Sequence, residues 1–556
     1  MTTLPAAAMK WRKGLRAASG VALCIAGFAL AWATRYRETT VVIGAGGCRL
    51  VTDVIDDGND DVRGSVVLFH GLAANKKIMS YLAHGFASEK LRVFVPDLPG
   101  HGRTTGPFSF ERAESCADSL VRELIARGAI DAQRTILAGH SMGGAIAIRA
   151  AARVGVAGVV AVSPAPMRAT HGVPATMLPY TNPPKLPPHT LAMSAAFEPL
   201  GIREITQDLV REGGDGTSKY LFVPQATHVS VLYDRRVVRA AQEWSAEALR
   251  FPPEVNVPSS APLLGSLIGL AGILLLAGPF LREVVSVPQI AADGGASPEI
   301  QPGRSGKAAG LRGLRPALQV ADEGSIVPRW GAAAGSQNAD GALPAVPTSG
   351  ALLAMTVLSF VAVAVLRFWN PLSFVRLYNG SYFASFLLIV GLVFLLVHRQ
   401  SARALFTTRI STLIMAAVAG FLLHFLVTGW LDTTFSESWL SWARWARFPV
   451  LFVAALAALL AEELLLGPVT TRRGIGRVSL AMALRLIAFL ALLFGIFALH
   501  SGALLVILLA VYLALFSLFQ RLGMDVVRHQ TGSAMAAAVF GAILLAGFCL
   551  VIFPVT

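Results

Sequence analysis

The segment GHSMG at residues 139–143 has the spacing expected for a reactive serine in a sharp turn. Gly139 and Gly143 stand two residues to either side of Ser141, and small residues at these positions let the chain turn tightly and expose the serine hydroxyl. A run typical of a β-strand, TILAGHS at 135–141, leads into the segment, and a helical pattern follows it. The pattern predicts a nucleophilic serine between a strand and a helix.

Two downstream segments supply partners for this serine. A serine hydroxyl is a weak nucleophile at neutral pH and needs a base that is oriented by a carboxylate. HTLAMSAAFEP at 189–199 predicts a strand that ends at Glu198, and SKYLFVPQATHVS at 218–230 predicts a last strand that is followed by His228. His228 is therefore a candidate base and Glu198 a candidate acid.

Strands alternate with helical stretches around these residues. SVVLFH at 65–70 and RVFVPD at 92–97 are short β-branched runs bounded by polar residues, and each is followed by a helix-like stretch, as is the run before Ser141. Such alternation predicts an α/β domain with a mostly parallel sheet, here over residues 37–250. The carboxyl ends of its strands would carry the candidate catalytic residues.

With these motifs in place, the sequence resembles the α/β-hydrolase family. LFHGLAAN at 68–75 is similar to the family's oxyanion loop, and PDLPGHGRT at 96–104 is similar to the loop after its fourth strand. The resemblance implies an α/β-hydrolase fold in which Ser141 is the nucleophile. It also implies that the backbone N–H groups of Leu72 and Met142 form the oxyanion hole.

The acid position departs from the commoner family pattern. The family more often has aspartate in a G-x-x-D turn, whereas AAFE stands in this sequence. Asp208 and Asp215 are alternatives, but both precede the last strand instead of ending the strand before it. Glu198 is preferred because the family order is serine, acid, histidine, and because it ends a strand.

The composition indicates that much of the chain lies in lipid. Mean hydropathy is +0.60, with 54% hydrophobic and 14% charged residues among 556. The net charge of +14 comes from basic residues that cluster beside apolar runs, so the expected partner is a membrane surface with its lipids and not nucleic acid. The sequence predicts no cofactor and no metal site, and makes no prediction of oligomeric state.

Nine apolar stretches predict membrane spans, and the first of them, 20–34, is a little short for a span. The first, 20–34, follows a basic tail and lacks a cleavage signal, which predicts an uncleaved signal anchor. The other eight are 261–281, 350–369, 382–398, 411–431, 449–467, 480–500, 502–520 and 534–554. The predicted domains are a tail and anchor (1–36), the hydrolase (37–250), a linker and second span (251–281), a flexible cytoplasmic loop (282–349) and a helical domain (350–556).

Basic residues predict the orientation. Thirteen Lys and Arg fall in the N-terminal tail and the short loops on one side, against Arg376, Arg444 and Arg447 on the other. Because basic loops resist translocation, the N-terminus is predicted in the cytoplasm and the hydrolase domain outside it. The Arg- and Ala-rich composition is typical of a bacterial inner membrane.

An acidic pair lies within one predicted span. Glu462 and Glu463 precede LLLGP, and with FALHSG around His500 they resemble the CAAX-protease and bacteriocin-processing family over about 383–554. Gly467 stands where that family has arginine, and the last helix lacks its histidine and asparagine. This half is predicted to be a degenerate relative or a set of unrelated helices.

Pairing is the alternative to an intramembrane site for these glutamates. Arg472 and Arg473 follow one to two turns later and could neutralise them.

Cys48 and Cys116, both in polar sequence, could form a disulfide, but two buried thiols are the preferred prediction.

The predicted function is a membrane-anchored serine hydrolase that cleaves an ester, thioester or amide, with a lipid or lipoprotein acyl group as a candidate substrate. One alternative is a non-catalytic recognition module attached to a transporter, assembly or processing protein. Another is intramembrane proteolysis at the glutamate pair.

Overall fold

The structure, a computed structural model, describes residues 6–33, 36–58, 61–165, 186–285, 347–467, 474–499 and 505–556. The chain begins with a long apolar helix, α1 (Ala6–Ala31). An α/β domain follows, and then a bundle of apolar helices. Of the predicted 282–349 loop, residues 286–346 lie outside the described residues.

One sheet forms the centre of the α/β domain. Its strands in the described part of the chain are β1 (Arg37–Ala45), β2 (Cys48–Asp56), β3 (Gly64–Phe69), β4 (Leu91–Pro96), β5 (Thr135–His140), β6 (Gly158–Val162), β7 (Thr190–Phe197) and β8 (Lys219–Thr227). They lie in the order β1-β2-β4-β3-β5-β6-β7-β8. β1, β2 and β4 pair antiparallel, and every other neighbouring pair is parallel.

Helices cover both faces of this sheet. They are α2 (Ser80–Ala87), α3 (Phe110–Ala126), α4 (Met142–Val154), α5 (Ile202–Gly213) and α6 (Arg235–Leu249). β3, β5 and β6 are buried along their whole length, as expected for parallel strands covered on both faces. The α/β class and the mostly parallel sheet predicted from the sequence are confirmed.

Cys48 and Cys116 form a disulfide, so the preference for two free thiols is wrong. Cys48 begins β2 and Cys116 lies on the buried face of α3, 68 residues later. Packing of α3 on the hairpin brings their Cα atoms to 5.8 Å, which is within the range that a disulfide bridges. The sequence alone did not reveal that these two elements meet.

The second part of the chain is helical. Its helices in the described residues are α7 (Ala261–Val285), α8 (Thr348–Phe368), α9 (Gly380–Val397), α10 (Arg399–Leu405), α11 (Ile410–Thr434), α12 (Trp442–Trp445), α13 (Phe448–Leu466), α14 (Ile475–Ala498), α15 (Leu505–Leu508), α16 (Ala510–Thr531) and α17 (Ala534–Ile552). Counting α1, nine helices among these residues have the length and hydropathy to cross a membrane. This number agrees with the nine predicted spans.

The eighth of these helices differs from the prediction. The sequence predicts a span at 502–520, whereas α16 runs from Ala510 to Thr531 and includes Arg521, Asp525 and Arg528. Hydropathy placed the end of the span before these charges. The helix continues because its charged side chains are buried against partners on other helices.

α1 packs closely on α7 through glycines. A Cβ atom on Gly27 would lie 2.4 Å from the backbone nitrogen of Gly269, and one on Gly265 would lie 2.6 Å from the carbonyl oxygen of Gly27. Such contacts need residues without side chains on both helices. The first apolar helix is therefore part of the bundle.

The α/β domain lies on the end of the bundle formed by the α8–α9 and α11–α13 connections and the C-terminus. The Phe108 N–H donates to the Val555 carbonyl at 2.6 Å, and Arg444 donates to the Gly100 carbonyl at 2.7 Å. Phe108 also contacts Tyr378 edge to face. The contacts come from loops that follow the carboxyl ends of the strands, so that end of the sheet faces the helices.

We expect the Cys48–Cys116 disulfide to protect both thiols. Full-length protein treated with a maleimide-polyethylene glycol reagent under denaturing conditions should gain two further adducts after reduction, since Cys24 and Cys549 are the only free cysteines. Cys116→Ala should lower the stability of the domain by about 2–4 kcal/mol, measured by thermal unfolding. Four adducts without reduction would contradict the disulfide.

Candidate active site

Ser141 lies in a strained turn between β5 and α4. Its φ of 54° and ψ of −119° are unfavourable for a residue with a side chain, and the turn points the hydroxyl out of the sheet. A Cβ on Gly139 would lie 2.2 Å from the Gly143 carbonyl oxygen, and a Cβ on Gly143 would lie 2.2 Å from the Phe69 carbonyl oxygen. The two glycines are therefore required by close backbone approach.

Ser141, His228 and Glu198 form a chain of hydrogen bonds. His228 follows β8 and places its Nε2 atom 3.0 Å from the Ser141 Oγ atom. Its Nδ1 atom lies 2.6 Å from the Oε2 atom of Glu198, which follows β7. With the proton on Nδ1 donated to the carboxylate, Nε2 is free to accept the serine proton. The structure thus brings together the three residues predicted as a triad.

The second carboxylate oxygen of Glu198 is also occupied. It accepts hydrogen bonds from the Ser163 hydroxyl and, at 2.8 Å, from the Ala195 N–H. Burial raises the pKa of Glu198, but hydrogen bonds from His228, Ser163 and Ala195 outweigh burial and hold the pKa below its usual value. The carboxylate is therefore ionised at neutral pH and fixed in orientation.

The alternative acids lie elsewhere. Asp208 pairs with Arg211 on α5 at 2.7 Å. Asp215 accepts from the Thr217 N–H at 3.0 Å and from its hydroxyl at 2.6 Å in the turn before β8. Glu198, and not these aspartates, contacts His228.

Ser163 and His140 support the chain and were not predicted in these roles. Ser163 follows β6, between the strands that precede Ser141 and Glu198. His140 donates from Nε2 to the His228 carbonyl at 2.7 Å, and burial lowers the pKa of His140 to about 3, so its ring is neutral. A polar residue directly after a buried parallel strand was the available signal for Ser163.

The loop after β3 lies beside Ser141. A Cβ on Gly71 would lie 3.1 Å from the Ser141 Cβ atom, so the backbone that leads into Leu72 passes next to the candidate nucleophile. Met142 is the first residue of α4, where backbone N–H groups have no helical acceptor. Both predicted oxyanion donors are thus on segments that adjoin Ser141.

Two neutral histidines join this loop to the loop after β4 by hydrogen bonds. The Leu98 N–H donates to His70 Nε2 at 2.9 Å, and the Ala73 N–H donates to His101 Nε2 at 3.3 Å. Burial lowers the pKa of His70 to about 4 and holds the pKa of His101 well below its usual value. Because both rings are neutral, each can accept from the backbone.

The glutamate pair on α13 is neutralised by arginines. Glu462 contacts Arg485 at 2.7 Å and Arg521 at 2.9 Å, and Glu463 contacts Arg521 at 2.7 Å and also Arg477. These arginines come from α14 and α16. Within the described residues, no group of three or more His, Cys, Asp or Glu could hold a metal ion.

His500, Arg472 and Arg473 lie outside the described residues. In the described part of the chain, the glutamates pair with arginines on α14 and α16, and the pairing predicted for Arg472 and Arg473 stays a prediction.

Comparison with known proteins supports a hydrolase domain. Residues 66–305 match the model of the family described as "Alpha/beta hydrolase family". A monoacylglycerol lipase of Mycolicibacterium smegmatis is 38% identical over 112 residues, which are 20% of this chain and 40% of the lipase. The chain thus matches less than half the length of this curated relative. Residues 66–305 are thus similar to that family, and the sheet with its flanking helices has the predicted fold.

Solved structures also match at low identity. A dienelactone hydrolase from Anabaena variabilis is 20% identical, with 38% of this chain and 99% of that chain covered and a TM-score of 0.31. An esterase from Pyrobaculum calidifontis is 15% identical, with 42% and 91% covered and a TM-score of 0.32. None of these comparisons bears on the CAAX-protease resemblance, which stays a prediction.

Replacement of Glu198 should lower kcat far more than replacement of Asp208 or Asp215. We expect Glu198→Gln to lower kcat for a p-nitrophenyl ester by about 10³- to 10⁴-fold, because the amide no longer holds the required tautomer of His228. Ser163→Ala should lower kcat by about 10-fold through loss of one hydrogen bond to the carboxylate. Asp208→Asn and Asp215→Asn are controls and should match the wild type. A large loss in either control would move the acid away from Glu198.

Proposed function

We propose that this protein is a membrane-embedded serine hydrolase that cleaves an acyl ester of an amphiphilic, lipid-like substrate on the extracytoplasmic side. The single observation that carries the proposal is the hydrogen-bonded chain from the Ser141 hydroxyl through His228 to Glu198. A serine, a histidine and a carboxylate in this order can activate a hydroxyl for attack on a carbonyl carbon.

The first half-reaction transfers the acyl group to the enzyme. His228 Nε2 takes the Ser141 proton while Oγ attacks the ester carbonyl, and Glu198 stabilises the imidazolium that forms. The N–H groups of Leu72 and Met142 donate to the oxyanion of the tetrahedral intermediate. His228 then gives its proton to the departing alkoxide, and the alcohol leaves an acyl-Ser141 ester.

The second half-reaction regenerates the serine. His228 removes a proton from water, and the resulting hydroxide attacks the acyl carbonyl. The tetrahedral intermediate collapses, the carboxylic acid leaves and the Ser141 oxygen recovers its proton from His228. Glu198 remains ionised throughout, which its three hydrogen bonds favour.

A lipid-like substrate is favoured by the location of the catalytic end of the sheet. Leu72 packs against the apolar core of both the α/β domain and the helix bundle. Trp439 and Trp442, on the connection between α11 and α13, are exposed, as is typical of aromatic side chains at headgroup depth. Ester carbonyls of acylglycerols lie near this depth. The relative named monoacylglycerol lipase supports the same substrate class.

The extracytoplasmic location is supported by two independent features. Disulfides persist in oxidising compartments and are rare in the cytosol, which favours placing Cys48 and Cys116 outside. Arg376, Arg444 and Arg447 lie on connections at the hydrolase end of the bundle, the side with few basic residues. The positive-inside rule therefore favours the opposite end as cytoplasmic.

A fluorophosphonate probe tests the nucleophile. Membranes that contain the wild-type protein should be labelled covalently, and Ser141→Ala should abolish labelling because Ser141 is the one serine of the described residues whose hydroxyl has a histidine nitrogen as hydrogen-bond partner. Ser115→Ala, which changes an exposed serine on α3, is the control and should label normally. Equal labelling of Ser141→Ala and wild type, or none in either, would favour the recognition-module alternative.

Cysteine accessibility tests the orientation. Ser259→Cys, in the exposed linker before α7, should react with a membrane-impermeant maleimide in intact spheroplasts. Ser305→Cys, in the predicted cytoplasmic loop, should react only after the membrane is permeabilised. The reverse pattern would place the hydrolase domain in the cytoplasm.

A further inference from the structure

Three consecutive residues of the α/β domain contact the helix bundle directly. The Asn75 side chain donates to the Ser436 hydroxyl at 2.9 Å and accepts from the Glu437 N–H at 3.2 Å. Lys76 forms an ion pair with Glu437, and Lys77 donates to the Asp432 carbonyl. The end of α11 and the segment between α11 and α12 therefore hold the chain at the end of the oxyanion loop.

Lys76 is buried together with its partners. The residue is 3% exposed, and its ammonium lies 3.3 Å from Asp53 and 3.7 Å from Asp97 in addition to Glu437. A buried ammonium is stable only when it is paired. Asp53 and Asp97 belong to the α/β domain, whereas Glu437 belongs to the bundle. The bundle thus completes an ion cluster within the hydrolase.

The cluster is connected to the backbone beside Ser141. The Lys76 N–H donates to Asp97 at 2.9 Å, and the Ala73 N–H donates to His101, four residues after Asp97. Between Gly71, which adjoins Ser141, and Lys76 there are only four residues. A shift at Lys76 is therefore expected to move the Leu72 N–H relative to the nucleophile.

We infer that Glu437 is a positioning residue for the hydrolase: through Lys76 it keeps the oxyanion loop in its reactive position. This inference rests on the proposed role of Ser141 as the nucleophile. Glu437 does not touch the reacting atoms. Its effect comes from holding a donor that must lie within hydrogen-bond distance of the developing oxyanion. The domain then reacts at full rate only while it is docked on the helices.

Glu437→Gln separates positioning from folding. Asp53 and Asp97 still neutralise Lys76 in this variant, so the ion cluster is weakened but not left without an acid. A displacement of about 1 Å can cost about 100-fold in rate, and we expect kcat to fall by about 10- to 100-fold with KM nearly unchanged. Lys76→Arg and Glu437→Asp keep the charges, so we expect each of them to lower kcat less than Glu437→Gln does.

The experiment uses the full-length protein in nanodiscs. Fluorophosphonate labelling rates and p-nitrophenyl ester turnover are measured per folded molecule, together with hydrogen exchange of the peptide that covers residues 70–77. Glu254→Gln, which removes a carboxylate paired with Arg63 at the surface, is the matched control. We expect faster exchange and slower labelling in Glu437→Gln and wild-type behaviour in the control.

The outcomes distinguish failure of the positioning role of Glu437 from failure of the proposed function. Normal Ser141-dependent labelling of the wild type, with an equal rate in Glu437→Gln, overturns the positioning role and leaves the proposed function standing. A change confined to KM, or an equal loss in Glu254→Gln, also overturns the positioning role. Absence of Ser141-dependent labelling in the wild type overturns both proposals.

Discussion

The backbone turn at Ser141 is the constraint on which the rest of the site depends. A residue with a side chain holds a positive φ there only because the surrounding structure leaves no alternative. Gly139 and Gly143 allow β5, α4 and the end of β3 to approach within contact of each other. Since β5 lies between β3 and β6, its carboxyl end is flanked by the loop that carries His70 and by Ser163, which donates a hydrogen bond to Glu198 after β7.

Polar contacts at the carboxyl end of the sheet serve two purposes at once. His70, His101 and His140 use neutral rings to join loops that approach one another only at this end. Buried neutral histidines satisfy backbone groups without introducing a charge close to Glu198 and Lys76. The same loops then bind the helix bundle through Lys76, so the geometry of the site and the docking of the domain share one set of residues.

The helical half shows how charge is accommodated among apolar helices. Glu462 and Glu463 would be costly alone, and arginines from two other helices surround them. A bidentate guanidinium satisfies both oxygens of a carboxylate, which leaves such a group poorly suited to bind a metal. In the described residues, the pair thus joins α13, α14 and α16, which explains why α16 extends through charges that hydropathy had placed outside a span.

Local patterns in the sequence determined the α/β class, the strand–turn–helix around Ser141 and the number of apolar helices. These follow from hydrophobic periodicity and from short-range residue spacing, which are visible in the sequence without knowledge of the tertiary structure. The resemblance to the α/β-hydrolase family, with its order of serine, acid and histidine, indicated His228 and Glu198 at the ends of two predicted strands. The structure brings those two residues to Ser141, although their catalytic roles stay proposals.

Tertiary structure alone decided the rest, because the partners are far apart in the chain. Lys76 and Glu437 are separated by 361 residues, and no pattern in either segment predicts their contact. The Cys48–Cys116 disulfide, the hydrogen bond from the Ser163 hydroxyl to Glu198 and the pairing of Glu462 and Glu463 with Arg477, Arg485 and Arg521 are of the same kind. Each depends on how separate elements pack, and packing brings together side chains whose spacing along the sequence carries no signal.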